Sequence, residues 1–319
     1  MKQLLITLHL ALWSFNSQAQ TYISDSLMSI YVESGLANKK FIPKGKLKEG
    51  VRVGKWEDYT FEFIHTYWQN EDIIDVRFDH LLIKSTGNYV NGEKSGLWKF
   101  YAVEEGTFKK TQIAEVTYKN GKRQGQITFY YSSGETAATG NNENELLQGV
   151  LTVFYKTGEL ARKANVEQGQ VQGVMTHYYR TGEKKGEVNF NNGMQNGASK
   201  FYYTNGAIKA NYNYVNDTLQ GACFNYYPNN NVQQEAIYEN DTITTLKYFY
   251  ESGQLWVYKE YKNGTYYNVL ALFDVTGKPL DYGTLKDGTG TVKYYTENAK
   301  VYLIETYKDG KIINEERFD

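Results

Sequence analysis

The sequence predicts an all-β fold, an elongated repeat array of antiparallel β-hairpins forming one long twisted sheet. Three observations carry that expectation. Gly125, Gly149, Gly173, Gly197 and Gly221 recur every 24 residues. Six positions after each stands a tyrosine (Tyr131, Tyr155, Tyr179, Tyr203 and Tyr227), always preceded by Tyr or Phe. Three residues further on come Gly134, Gly158, Gly182, Gly206 and Asn230. Columns that hold phase in this way mark a stacked repeat protein, whose units bury surface against their neighbours. The chain has 30 Tyr and 29 Gly against 3 Pro, which suits strands joined by many tight turns.

Within one copy, residues 173–196, the phrase Tyr179-Arg180-Thr181-Gly182 is echoed by Phe190-Asn191-Asn192-Gly193. Each repeat therefore holds two turns and two strands. Both turns read as three-residue loops ending in a left-handed residue that closes a bulged hairpin. Where the first turn lacks its glycine, Asn230 and Asn298 take the place; where the second does, Asp217 and Asp241 do. Asn and Asp tolerate that conformation best among non-glycine residues. Pairing Tyr178 with Lys184 across the first turn would put Tyr178, Lys184, Val188 and Phe190 on one mostly apolar face. The opposite face would carry the second tyrosine column with Glu183, Glu187 and Asn189, and would be wetter. Glycine and aromatic residues recur too densely for helices.

Residues 1–19 read as a cleavable signal peptide: Lys2, an apolar run from Leu4 to Phe15, then Ser17-Gln18-Ala19. The run is shorter than the roughly 20 residues needed to span a bilayer, and no comparable run follows. No cysteine follows the cleavage site to take a lipid. Periplasmic or secreted protein beginning near Gln20 is expected. Residues 20–86 form an irregular β cap with a first degenerate repeat, because Gly50–Trp56 matches Gly92–Trp98 at both glycines and the tryptophan. Within the cap, Tyr59–Tyr67 and Ile73–Ile83 read as longer strands around an acidic turn at Asn70-Glu71-Asp72. Residues 87–319 form the array, which continues through Tyr250–Gly253, Tyr261–Gly264, Gly277, Asp287-Gly288, Tyr294-Tyr295 and Tyr307–Gly310 without a Pro/Ser-rich linker.

Composition and motifs argue against chemistry. With 35 basic and 36 acidic residues the net charge is -1, which offers no electrostatic footprint for nucleic acid or an anionic membrane. Cys223, the sole cysteine, can form no internal disulfide and falls in a column with Ile127, Leu151, Met175 and Ser199, where a packing role is expected. His65, His80 and His177 have no metal-ligand spacing. Gly288-Thr289-Gly290 is followed by no Lys-Ser/Thr and opens no helix, so it is no phosphate loop. Glu135, Glu159 and Glu183 form a carboxylate column, but positions just after a turn are solvated, not poised as a glycosidase pair. No catalytic residue, metal site or cofactor is expected.

Gly96-Leu97-Trp98-Lys99-Phe100-Tyr101 and the phrases Tyr118–Gly125 and Phe190–Gly197 resemble the bacterial variant of the MORN repeat, over roughly residues 45–310. The resemblance implies a row of β-hairpins and an interaction or scaffolding role. Bacterial relatives are often labelled antitoxin components, a label that fits poorly with an export signal. The family's tryptophan is lost from Gly125 onward. Binding is therefore expected of an exported, non-catalytic scaffold with a protein partner. The alternative is a glycan-binding module recognising cell-wall or extracellular polysaccharide. The candidate ligand-binding residues are Tyr131, Tyr155, Tyr179, Tyr203 and Tyr227, a regular aromatic row that either binds an extended ligand or packs across strands.

Overall fold

The computed structural model describes residues 43–64, 78–103, 109–296 and 298–318. The signal segment, His65 and the acidic turn at 70–72 lie outside them. Every regular element among the described residues is a β-strand. They form two compact units, divided between Val171 and Gln172.

Unit 1 is an antiparallel meander. It runs through β1 (Lys44–Lys48), β2 (Val51–Ile64), β3 (Phe78–Val90), β4 (Glu93–Val103), β5 (Lys110–Lys119), β6 (Lys122–Tyr130), β7 (Thr136–Glu143), the short β8 (Leu146–Leu147), β9 (Gly149–Phe154) and β10 (Leu160–Glu167). Each strand pairs with the next in sequence, except that β8 and β9 both pair with β7 and not with each other.

The second unit takes over within β11 (Gln170–Tyr178). It repeats the pattern with β12 (Lys184–Asn191), β13 (Met194–Tyr202), β14 (Ile208–Val215), β15 (Thr218–Leu219), β16 (Gly221–Tyr226), β17 (Val232–Glu239), β18 (Thr242–Phe249), β19 (Leu255–Lys262) and β20 (Thr265–Leu272). The regular hairpins end there. β21 (Gly290–Tyr295), β22 (Val301–Lys308) and β23 (Lys311–Arg317) form a separate three-stranded sheet. The continuous array expected over residues 87–319 is thus interrupted after Leu272. Pro279, which has no N–H to donate to a ladder, lies in the connection and makes only an isolated bridge with Phe273.

The two turns of the repeat differ. The first is the expected three-residue loop: the Tyr179 N–H donates to Glu183 O at 2.8 Å, and Gly182, at φ 95°, donates back to Tyr179 O at 3.0 Å. The second is a two-residue loop, not a three-residue one. Asn191 pairs with Met194, and both Asn192 (φ 48°) and Gly193 (φ 78°) are left-handed. That is the type I′ turn whose twist matches the flanking strands. Asp217 and Asp241 stand in the glycine place of this turn, at φ 65° and 61°. Near the C-terminus the left-handed residue of the first turn is Ala299 (φ 56°), not Asn298. The 24-residue glycine is a third device. Gly197 (φ 96°) lies in a bulge of β13, between Gln195, which pairs with Phe190, and Ser199, which pairs with Val188.

Two residues past each of these glycines the side chain turns into the core. Trp56, Trp98, Ile127 and Leu151 are buried in unit 1, and Met175, Ser199, Cys223 and Val292 are buried in unit 2; Leu246 and Val269 are buried likewise but follow Thr244 and Tyr267 in place of a glycine. Neighbouring strands adjust to the volume of each. Trp98 is fully buried because Gly87 lies beside it: a Cβ there would come within 2.2 Å of the indole. Ser199, by contrast, is flanked across strands by Val188 and Tyr212. Total volume is kept while individual residues change.

Candidate interaction surface

A one-residue bulge decides which side chains meet solvent. Tyr178 does pair with Lys184, but His177 pairs with Gly186, leaving Lys185 extra. Beyond the bulge the faces exchange. Met175, Gly186, Val188 and Phe190 therefore share the buried face, while Tyr178 and Lys184 lie with Glu187 on the other. The expected grouping of Tyr178 and Lys184 with Val188 and Phe190 is corrected accordingly. The same bulge recurs just after Leu160, Ile208 and Val232.

The first aromatic of each pair therefore populates the polar face. In unit 2 these are Tyr178, Tyr202, Tyr226 and Phe249, all partly exposed. Tyr202 donates its hydroxyl to Glu187 at 2.9 Å, and Lys184 Nζ donates to the same carboxylate at 2.6 Å. The Lys184 hydrogen bond holds the Glu187 carboxyl below its ordinary value, and burial, then the carboxylate, push the Tyr202 phenol up. Phe224 stacks at a tilt on Tyr226, 6.2 Å between centroids. In unit 1, Tyr101, Tyr130 and Phe154 hold the equivalent places, and Lys99 pairs with Glu115 at 3.0 Å.

The second tyrosines are placed differently. Tyr131 and Tyr155 are each only 5% exposed, so they do not lie open on a wet face. Tyr179, Tyr203 and Tyr227 are partly exposed. Their hydroxyls tie one repeat to the next: Tyr179 donates to Tyr202 O at 2.7 Å, Tyr203 to Tyr226 O at 2.6 Å, and Tyr227 to Phe249 O at 2.9 Å. Tyr131 makes the same bond to Phe154 O, and Tyr250 extends the row to Phe273 O at 3.0 Å. The bulge residue lies over the ring: Lys185 Nζ is 5.6 Å from the Tyr179 centroid and Lys209 Nζ 5.6 Å from that of Tyr203. At the end of the row the bulge residue is Trp256, 44% exposed, with its ring 5.7 Å from Tyr250 and 33° from parallel.

The opposite margin has its own ladder, which the sequence pattern alone did not single out. Gln124, Gln148, Gln172 and Gln220 each accept the backbone N–H of the residue opening the next type I′ turn, Asn144, Gln168, Asn192 and Asn240, at 2.8–3.0 Å. The signal was available, since each glutamine directly precedes a 24-residue glycine. The aspartates of that margin do similar work: Asp217 and Asp241 carboxylates accept the N–H groups of Gln195 and Leu219, both at 2.7 Å.

Unit 2 also sets a partly exposed charge against its core. Lys259 pairs with Leu246 and Val269, in the column held elsewhere by Val188, Tyr212 and Ala236. Its ammonium lies 4.9 Å from the centroid of Tyr266. Burial lowers its pKa, with the Glu305 carboxylate opposing that shift. Glu305 accepts the hydroxyls of Tyr294 and Tyr307, both at 2.6 Å. Burial pushes both phenols up, as it does those of Tyr266 and Tyr261, the last to about 12. Asp58 of unit 1 is a contrast: it is buried but matched by Arg52 at 3.0 Å and the Tyr89 hydroxyl at 2.8 Å.

No group of His, Cys, Asp or Glu among the described residues could hold a metal. Cys223 is buried, and burial raises its thiol pKa, the reverse of an activated nucleophile. Glu135 and Glu183 are exposed and held below the ordinary carboxylate value, first by the hydroxyls of Ser133 and Thr181. A general acid requires the opposite shift. His177 is partly exposed beside Gly186. No helix among the described residues is long and apolar enough to cross a membrane.

Residues 171–192, 195–216, 219–240 and 245–263 each match the MORN repeat variant. This stretch is similar to MORN-variant repeats, a non-catalytic repeat type associated with interaction. No curated protein matches the chain. Among solved structures, a chain of the Photorhabdus luminescens Tc holotoxin pore is similar at 11% identity, over 83% of this chain and 15% of that one, with a TM-score of 0.16. The match spans a small fraction of that protein, and a score so low carries no argument.

Proposed function

We propose that the protein is an exported, non-catalytic scaffold that binds a protein partner at the cell envelope or outside the cell. The observation that carries this reading is the polar face of unit 2. Tyr178, Tyr202 and Tyr226 recur there at repeat spacing, beside Glu187, Lys184 and the exposed Val174. Tyrosine combines apolar area with a polar tip and is enriched where proteins meet. Export is supported by residues 1–19. Tyr131, Tyr179, Tyr203 and Tyr227 enter this reading as spacers that hold successive repeats in step and Tyr155 as a buried ring, with Tyr179, Tyr203 and Tyr227 adding ring edges at one margin. A second reading, glycan binding, rests on the exposed Trp256 and the partly exposed Tyr250, whose rings, tilted 33° to one another, offer a sugar an aromatic surface.

The test is capture of partners by the mature protein from its own cell envelope, compared with a Tyr178→Ala/Tyr202→Ala variant. Loss of more than about 1 kcal/mol of affinity, with the melting point nearly unchanged, supports the polar face as the binding surface. Undiminished capture by that variant overturns it. Capture lost only in Trp256→Ala, and competed by polysaccharide, favours the glycan reading.

A further inference from the structure

The margins of the two units are built differently. β1 of unit 1 reads Lys-Gly-Lys-Leu-Lys along an edge whose residues are all exposed. Lysines on a free edge discourage another strand from pairing there. β23 is also exposed along its whole length, and its only partner among the described residues is β22. It carries no such guard in its middle. Ile312 is 48% exposed and its neighbour Ile313 62%, so that consecutive side chains leave apolar surface uncovered, and Phe318 just beyond is 47% exposed. Lys311 is the cation at one end of the strand, and Glu315 and Glu316 stand toward the other, where Arg317 closes the strand and lies 3.0 Å from Glu315.

We propose that the free edge of β23 is a self-association site, pairing antiparallel with β23 of a second copy of this chain. Antiparallel pairing centred on Ile313, or on the peptide between Ile313 and Asn314, brings Lys311 of each copy opposite Glu315 or Glu316 of the other. By two-fold symmetry that attraction occurs twice, at either end of an apolar centre contributed by both copies. Parallel pairing in register would instead set like charges side by side. Self-complementarity of this kind is what an isologous two-fold interface requires, and strand addition supplies the main-chain hydrogen bonds. A single seven-residue strand makes a small interface, so the association belongs at the weak end of specific dimers.

Sedimentation equilibrium of the mature protein over about 1 to 200 μM is expected to show a concentration-dependent monomer–dimer equilibrium. Ile313→Lys, which copies the guard of β1, is expected to shift the dissociation constant upward by at least tenfold with an unchanged circular dichroism spectrum. The charge swap provides the control that does not depend on apolar surface. Lys311→Glu alone and Glu315→Lys/Glu316→Lys alone should each dissociate, and their equimolar mixture should recover the dimer. A wild-type protein that stays monomeric across the range overturns the proposal. So does a dimer indifferent to Ile313→Lys, or a mixture of the two charge variants that stays monomeric.

Discussion

Lys259 allows the sharpest test of how the core of unit 2 is balanced. It occupies a column of Val188, Tyr212 and Ala236, and its pKa falls below 10.5 because burial outweighs the attraction of Glu305. A native environment that favours the neutral amine destabilises the charged one at neutral pH. Replacement by methionine removes that cost and leaves apolar volume beside Leu246 and Val269. It also removes the cation–π contact with Tyr266, 4.9 Å away, worth about 0.5 to 2 kcal/mol. Replacing a whole buried ion pair by apolar groups is neutral or stabilising by about 1 to 4 kcal/mol, and a single partly exposed cation not in a close ion pair should lie at the low end of that range. The expected net effect of Lys259→Met at pH 7 is thus stabilisation of about 1 kcal/mol, or a melting point higher by about 2 to 4 °C. The pH profile tests the cause. Because the folded pKa lies below the unfolded 10.5, the unfolded chain binds more protons between those two values, and stability rises with pH in that window. The raised phenols of Tyr266, Tyr294 and Tyr307 act in reverse, removing stability above pH 10. Thermal melts from pH 6 to 11 should show wild-type protein gaining on Lys259→Met as pH approaches 10, with both then falling. Glu305→Gln, which strands the ammonium and weakens two hydroxyl bonds, should cost about 2 kcal/mol in wild type and less in the methionine background. A methionine variant that melts several degrees lower, with a profile parallel to wild type, would refute the reasoning.

Other outcomes follow from the turns and ladders. A Cβ added at Gly182 would meet nothing within 4 Å, so any cost of substitution there arises from its φ of 95°. Gly182→Val should lose about 1 to 3 kcal/mol and Gly182→Asn under about 1 kcal/mol in chemical denaturation; equal losses would contradict the turn assignment. Tyr203→Phe keeps its ring but leaves Tyr226 O without its donor, and should cost about 0.5 to 1.5 kcal/mol. Tyr202→Phe loses a bond on the polar face and should cost less, since water can take its place at Glu187. Intact-mass analysis of the protein in its native host should give an N-terminus near Gln20 in a fraction outside the cytoplasm; unprocessed Met1 on cytosolic protein would remove the export proposal.

Much of the fold was legible because its requirements are local. Type I′ and bulged turns demand left-handed residues, so Gly182, Gly193, Asn230, Asp217 and Asp241 announce themselves by residue type. The hairpin pairing of Tyr178 with Lys184 followed from loop length alone. Two things were not local. The length of the second loop depends on whether Asn191 pairs or turns, and the phrase Phe-Asn-Asn-Gly permits either. The end of the regular array depends on Pro279 and on the packing of Val257, Leu272, Leu285 and Val292 into one cluster, which a continuing tyrosine rhythm conceals.

The candidate surface departs from the sequence pattern for a single physical reason that bears on its chemistry. Strand faces alternate with period two, so one unpaired residue reverses every assignment beyond it. Here that residue is Ala161, Lys185, Lys209 or Gln233, according to the repeat, and nothing in its chemistry is constant. The hydrogen bonds of the turn are what force it, since Tyr179 must meet Glu183 while Val188 must meet Met175. The consequence is a division of labour within each aromatic pair. The second ring, with its hydroxyl donated to the next repeat, fixes the spacing. The first ring is left at that spacing on the polar face, held by Glu187 in the repeat of Tyr202. An aromatic row whose pitch is set by an independent row of hydrogen bonds is pre-organised, and a partner that docks on it need not pay again to order those side chains.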